Sequence, residues 1–138
     1  MGINELKIIK DRNIEDVGRS NMKNDTFFQS VRCAFIGIYL AFKSEKNYKI
    51  YIGISLFFLC LNIYFKVGLI GHLCHFITTM GVFSAECFNT AIEKFIDMVD
   101  REIKPEIKFI KDVAAGGVLY WGFAFFISEF MVIGSVLL

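Results

Sequence analysis

Residues 86–100 read ECFNTAIEKFIDMVD, and they follow a run at residues 67–85, VGLIGHLCHFITTMGVFSA, that carries no formal charge with His72 and His75 neutral. Glu86, Asn89, Glu93, Asp97 and Asp100 put four carboxylates and an amide at three- and four-residue steps. At about 100° per residue all five fall within an arc of roughly 80° on one helix. Cys87, Phe88, Ala91, Ile92, Phe95, Ile96 and Val99 occupy the remaining circumference. The apolar run and the acidic stripe are therefore expected to be a single helix, with the stripe starting where the run leaves a bilayer and climbing away from it.

Two further apolar blocks flank this one. Residues 50–65, IYIGISLFFLCLNIYF, are apolar except for Ser55 and Asn62, and residues 113–138 hold only Glu129 as a charged group. A membrane span needs roughly 20 apolar residues. The second and third blocks meet this, and snorkelling of Lys49 and Lys66 extends the first. Spans are expected at about 48–66, 68–100 (including a cytoplasmic extension) and 111–138. Residues 27–42, FFQSVRCAFIGIYLAF, repeat apolar side chains at helical spacing with Gln29, Ser30, Arg32 and Lys43 on the other flank. That pattern fits a helix lying in the membrane interface. Residues 1–26 read as a polar arm. The expected fold class is an all-α membrane protein with three transmembrane helices and an N-terminal interfacial amphipathic helix.

Composition agrees. Apolar residues make up 55% of the 138 residues and mean hydropathy is +0.52, high for a water-soluble domain. Sixteen Phe against one Pro favour long unbroken helices. A net charge of +1 excludes the basic footprint of a nucleic-acid binder. Cys33, Cys60, Cys74 and Cys87 lie far apart and read as free thiols in apolar helices. Nine of the fifteen Lys and Arg precede the first span, one lies in the turn after it and five lie between the second and third. The positive-inside rule then puts the N-terminus and the 94–111 segment in the cytoplasm and the C-terminus outside, in a multi-pass protein of the cell membrane.

An acidic stripe repels itself unless cations sit on it. Lys94 and Arg101 are near in sequence but off the stripe, so the expected counterions are a bound cation and basic groups from other segments. Magnesium suits the residue types, because it takes oxygen ligands and is commonly shared between one or two carboxylates and substrate phosphates. A solvated acidic face is the plain alternative. Against it stands Glu86, at the apolar end of the stripe, where an ionised carboxylate is costly without a partner or a task.

These residues resemble a family. ECFNTAIEKFID, residues 86–97, is similar to the E-x-x-N-[ST]-A-I-E-x-x-x-D signature of the prokaryotic diacylglycerol kinase and undecaprenol kinase family, small integral-membrane lipid kinases. AFKSEKN, residues 41–47, resembles its A-F-x-x-E-x-N element, and KDVAAGGVL, residues 111–119, its K-D-x-x-A-G-A-V-L element. The resemblance runs from about Phe27 to the C-terminus, which makes 27–138 the lipid kinase domain. It implies Glu86 as the catalytic base and Glu45 and Glu93 as ligands of magnesium held with ATP. It further implies Asn89, Asp97, Glu102, Lys111 and Asp112 around the nucleotide, and a homotrimer with active sites shared between neighbouring subunits. Lys104 and Ile103 depart from residues often found in relatives, which affects contacts to the nucleotide base.

The implied reaction is ATP- and magnesium-dependent phosphorylation of a membrane lipid alcohol. The motif forms are nearer the Gram-positive-type undecaprenol kinases, so undecaprenol is the expected acceptor and diacylglycerol the alternative. A small transport or ion-conducting protein, using the stripe as a cation vestibule, is a reading of another class; a non-enzymatic membrane interaction module is a third. Elsewhere, His72, Cys74 and His75 are expected to be interfacial or packing residues. Gly116 and Gly117 are expected at close contacts between spans, and Trp121 and Tyr120 in packing. Glu129, ~26 Å along a helix from Lys111, is expected near the outer interface in reach of water.

Overall fold

The computed structural model describes residues 27–99 and 104–138, which form four α-helices and, among the described residues, no strand: α1 (Phe27–Ser44), α2 (Asn47–Tyr64), α3 (Leu69–Val99) and α4 (Pro105–Leu137). The polar arm at 1–26, and Asp100, Arg101, Glu102 and Ile103, lie outside the described residues. The chain divides at Gly37/Ile38, within α1, into two compact units, and the packing of α2, α3 and α4 belongs to the second.

Helix limits follow local chemistry. Lys104 is extended (φ −91°, ψ 149°), as a residue before proline prefers, and Pro105 opens α4, where its missing N–H costs nothing. The chain's one proline thus starts a helix and breaks none. α2 ends in a tight turn: the Phe65, Lys66 and Val67 N–H groups donate to the Leu61, Ile63 and Asn62 carbonyls. Lys66 takes a left-handed conformation there, φ 54°. With a Cβ this costs roughly 1–2 kcal/mol relative to the right-handed form.

The 31 residues of α3 span ~46 Å and the 33 of α4 ~50 Å, both longer than a ~30 Å hydrocarbon core. Among the described residues, α4 is the helix long and apolar enough to cross a membrane by length and composition. α3 and α4 pack antiparallel along most of their length, and α2 packs on α3. Two glycines allow the close approach. A Cβ on Gly81 would strike the Trp121 indole, and one on Gly71 would meet Val67 and, at 2.7 Å, Val132. Gly116 and Gly117, expected at such contacts, have nothing within 4 Å of a built Cβ; the crowded glycines lie on α3 instead. Trp121 packs as expected, whereas Tyr120 points outward, 78% exposed.

The bundle is inverted relative to a water-soluble one. Leu56, Phe57, Phe76, Phe123 and Ile127 are more than half exposed, while the fully buried large side chains are Glu86, Glu129 and Asn62. A small apolar cluster of Phe58, Val82 and Phe125 joins the three helices, with Phe58 edge-on to Phe125 at 5.4 Å.

Glu129 corrects the sequence expectation. It is 1% exposed, not in water; its Oε1 lies 2.7 Å from His75 Nδ1 and its Oε2 accepts from Asn62 Nδ2 at 2.9 Å. His75 Nε2 lies 3.3 Å from the Ser55 hydroxyl, which is 3.2 Å from that of Thr79. The rise per residue fixes how far along α4 the carboxylate sits. Which way it faces depends on the neighbours, and here α2 and α3 offer donors that replace water.

Candidate active site

The acidic stripe forms as the spacing requires, with a gradient in burial. Glu86 is 2% exposed and Asn89 is buried; Glu93 is half-buried and Asp97 exposed. α3 carries all four without a break. Glu86, Asn89 and Glu93 line one cavity of ≈ 450 Å³ between α2, α3 and α4, with Asn47 at the same end. Beyond these groups the lining is mostly apolar, with Ile54, Val82, Phe83, Val118, Phe123 and Phe126, and carries the hydroxyls of Ser55 and Thr79 toward its far end. Its lining on α3 runs from Thr79 to Glu93, ~21 Å. The cavity therefore has a polar mouth and an apolar continuation, the shape that takes a molecule with a polar head and a hydrocarbon tail.

Glu86 has one described hydrogen-bond partner, the Asn47 amide, whose Nδ2 donates to Oε1 at 3.0 Å. Glu86 stands just past the apolar run. Burial raises its carboxyl above the ordinary glutamate range; the Asn47 amide pulls it down, and the charges of Glu45 and Glu93 push it up. A raised carboxyl is suited to accept a proton near neutral pH.

Next along the stripe, Asn89 Nδ2 donates to Glu93 Oε1 at 3.0 Å. The Asn89 Oδ1 is buried with no hydrogen-bond partner among the described residues, as is the Thr90 hydroxyl. An orphaned carbonyl oxygen beside a carboxylate is a fragment of an oxygen ligand set, the kind magnesium takes. The described residues contain no group of three or more His, Cys, Asp and Glu able to hold a metal ion.

One basic group from another segment reaches the stripe. Lys111, on the first turns of α4, donates to Asp97 Oδ1 at 2.7 Å. Lys94 lies off the stripe and pairs at 3.4 Å with Glu45, which follows α1. Asp112 is exposed and faces Lys108, 3.9 Å away. Glu45, Asp97, Lys111 and Asp112 stand outside the cavity wall, and Glu102 lies outside the described residues. The structure thus gathers Glu86, Asn89 and Glu93 at one mouth, with Lys111 and Asp97 paired further along α3.

Sequence reasoning missed Asn47 and Tyr48. The signal was present in AFKSEKN, where Asn47 falls two residues after Glu45, at the position that starts α2.

A helical bundle that buries carboxylates and turns its large apolar side chains outward has the character of a membrane protein. The chain belongs to the prokaryotic diacylglycerol kinase family, whose model matches residues 32–133. It is similar to the undecaprenol kinase of Bacillus subtilis (strain 168), at 32% identity over 92 residues that cover 67% of this chain and 75% of that one. The chain is a lipid kinase.

Proposed function

We propose that the chain transfers the terminal phosphate of ATP to undecaprenol, with magnesium, at the cytoplasmic face of the cell membrane. The observation that carries this reading is the cavity: Glu86 at a polar mouth, with an apolar wall leading away from it. A lipid alcohol seats its hydroxyl at Glu86 and its tail along Phe83, Phe123 and Phe126. The similarity to an undecaprenol kinase favours a polyprenol over diacylglycerol.

In this mechanism the Glu86 carboxylate takes the proton of the lipid hydroxyl as that oxygen attacks the terminal phosphorus. The bond from phosphorus to the bridging oxygen breaks, ADP leaves with its electron pair, and Glu86 returns the proton to solvent. Phosphoryl transfer of this kind depends on position and on neutralising phosphate charge. Lys111 leaves Asp97 for the phosphates and supplies a mobile positive charge. Asn89 and Asp97 orient groups around the nucleotide, with Glu102 and Asp112 in supporting places. Magnesium, held by Glu45 and Glu93 together with phosphate oxygens, would offset phosphate charge when bound; Lys94 releases Glu45 readily, because the pair is solvent-screened.

The proposed topology is three crossings, by α2, by α3 up to Ala85 and by α4, with α1 in the interface, the arm 1–26 and the site cytoplasmic and the C-terminus outside. α2 has 18 residues, ~27 Å, close to the thickness of a hydrocarbon core. A homotrimer with shared active sites is the proposed assembly.

The test is labelling by radioactive ATP of a mixed panel of undecaprenol and diacylglycerol in detergent, with and without magnesium. Magnesium-dependent labelling of undecaprenol, lost in Glu86→Gln, is the expected result. Labelling of diacylglycerol alone would reverse the choice of acceptor, and full activity in Glu86→Gln would remove the base from the scheme.

A further inference from the structure

Tyr48, the second residue of α2, is 3% exposed. Its ring stacks on Phe83 (centroids 5.8 Å apart, 28° between planes) and meets Phe42 edge-on at 6.0 Å. Its hydroxyl donates to the Phe83 carbonyl at 3.2 Å and lies 2.7 Å from Cys87 Sγ. Phe83 and Cys87 bracket Glu86 on α3. One buried side chain therefore fastens the start of α2 to the turn of α3 that carries the carboxylate. Asn47 is the residue immediately before this anchor. It is exposed, yet its amide reaches the buried carboxylate. Only Oε1 of Glu86 is engaged; Oε2 accepts no hydrogen bond from a described residue.

We propose that Asn47 is a positioning residue for the reaction, orienting Glu86 through Oε1 so that Oε2 is the oxygen that receives the lipid proton, with Tyr48 as the anchor that holds Asn47 in place. This rests on Glu86 acting as the base. A carboxylate has two chemically equivalent oxygens and turns about its last side-chain bond. A donor on one oxygen fixes the plane and leaves the other free. The donor has to be neutral: a lysine or arginine here would hold the carboxyl too acidic to take a proton, and an aspartate would repel it. A primary amide on a short side chain orients the base and leaves it basic.

The experiment measures kcat, KM and the pH profile of undecaprenol phosphorylation by the full-length protein in detergent. Asn47→Leu removes the donor to Glu86 Oε1 and breaks no other hydrogen bond among the described residues. It is expected to lower kcat about 10- to 100-fold, the range for a hydrogen bond to a charged group, with KM for ATP and lipid within about twofold of the parent. The acid limb of the kcat profile is expected to move to higher pH, because the group favouring the ionised carboxyl has gone. Asn47→Gln keeps an amide donor and is expected to recover much of the kcat and to return the limb toward its place. An unchanged kcat and limb in Asn47→Leu overturns the proposal, as does a loss that appears in the KM for ATP and is not recovered by Asn47→Gln. Glu86→Gln is assayed in parallel: if it retains the parent kcat, the base assignment itself fails, whichever way Asn47 behaves.

Discussion

Removing the Glu129 carboxylate tests the inverted core directly. In Glu129→Leu, His75 loses its 2.7 Å partner and the Asn62 amide its 2.9 Å acceptor, both in the bundle interior. Each orphaned buried group costs about 1–3 kcal/mol, which gives about 2–6 kcal/mol for the two. Replacing all partners with apolar residues of similar size removes the penalty, so the triple variant Glu129→Leu/His75→Leu/Asn62→Leu should regain most of the loss. The assay is unfolding by SDS titration in mixed micelles, followed by far-ultraviolet circular dichroism. The network sits ~16 Å along α3 from Glu86, so kcat per folded molecule should be unchanged. A Glu129→Leu protein as stable as the parent, or a triple variant as weak as the single one, would refute the idea that these three groups satisfy one another.

Gly81→Ala should destabilise by about 1–3 kcal/mol as the methyl displaces the Trp121 indole, and should be close to neutral in a Trp121→Leu background; stability of the four proteins forms a double-mutant cycle. Phosphorylation by the parent should rise with pH through a value above the ordinary glutamate range. Burial raises Glu86, and only the form that has lost its proton can act as base; an acid limb at the usual carboxylate pH would contradict this. Lys111→Met should raise the KM for ATP and lower kcat yet change stability by less than about 1 kcal/mol, because its pair with Asp97 is half exposed; comparing kinetics with SDS unfolding separates the two effects.

What could be read without coordinates divides along a physical line. Helix existence follows from apolar run length, and α2, α3 and α4 cover the three blocks read from the sequence. The rotation of a stripe relative to itself follows from the turn per residue, which is why Glu86, Asn89 and Glu93 share a wall as expected. Rotation relative to a neighbour does not follow when a helix is apolar on every side. α4 is such a helix, so neither the inward face of Glu129 nor the outward face of Tyr120 could be read. Glycines behave in the same way: Gly116 and Gly117 carry a familiar pattern, but closeness depends on what lies opposite, and Trp121 lies opposite Gly81. The AFKSEKN pattern marks Asn47 but not its task, because its partner is 39 residues away.

The Gly81 contact has a consequence for how this chain can vary. Trp121 seated on Gly81 indexes α3 to α4 like a key in a slot, and the carboxylates downstream inherit their angular phase from it. Inserting or deleting a single residue between Gly81 and Glu86 would swing the stripe by about 100°, carrying it off the shared wall and away from Lys111 while leaving every helix intact. Length in that four-residue interval, 82–85, is thus constrained separately from identity: any change in the number of residues there moves every carboxylate beyond it.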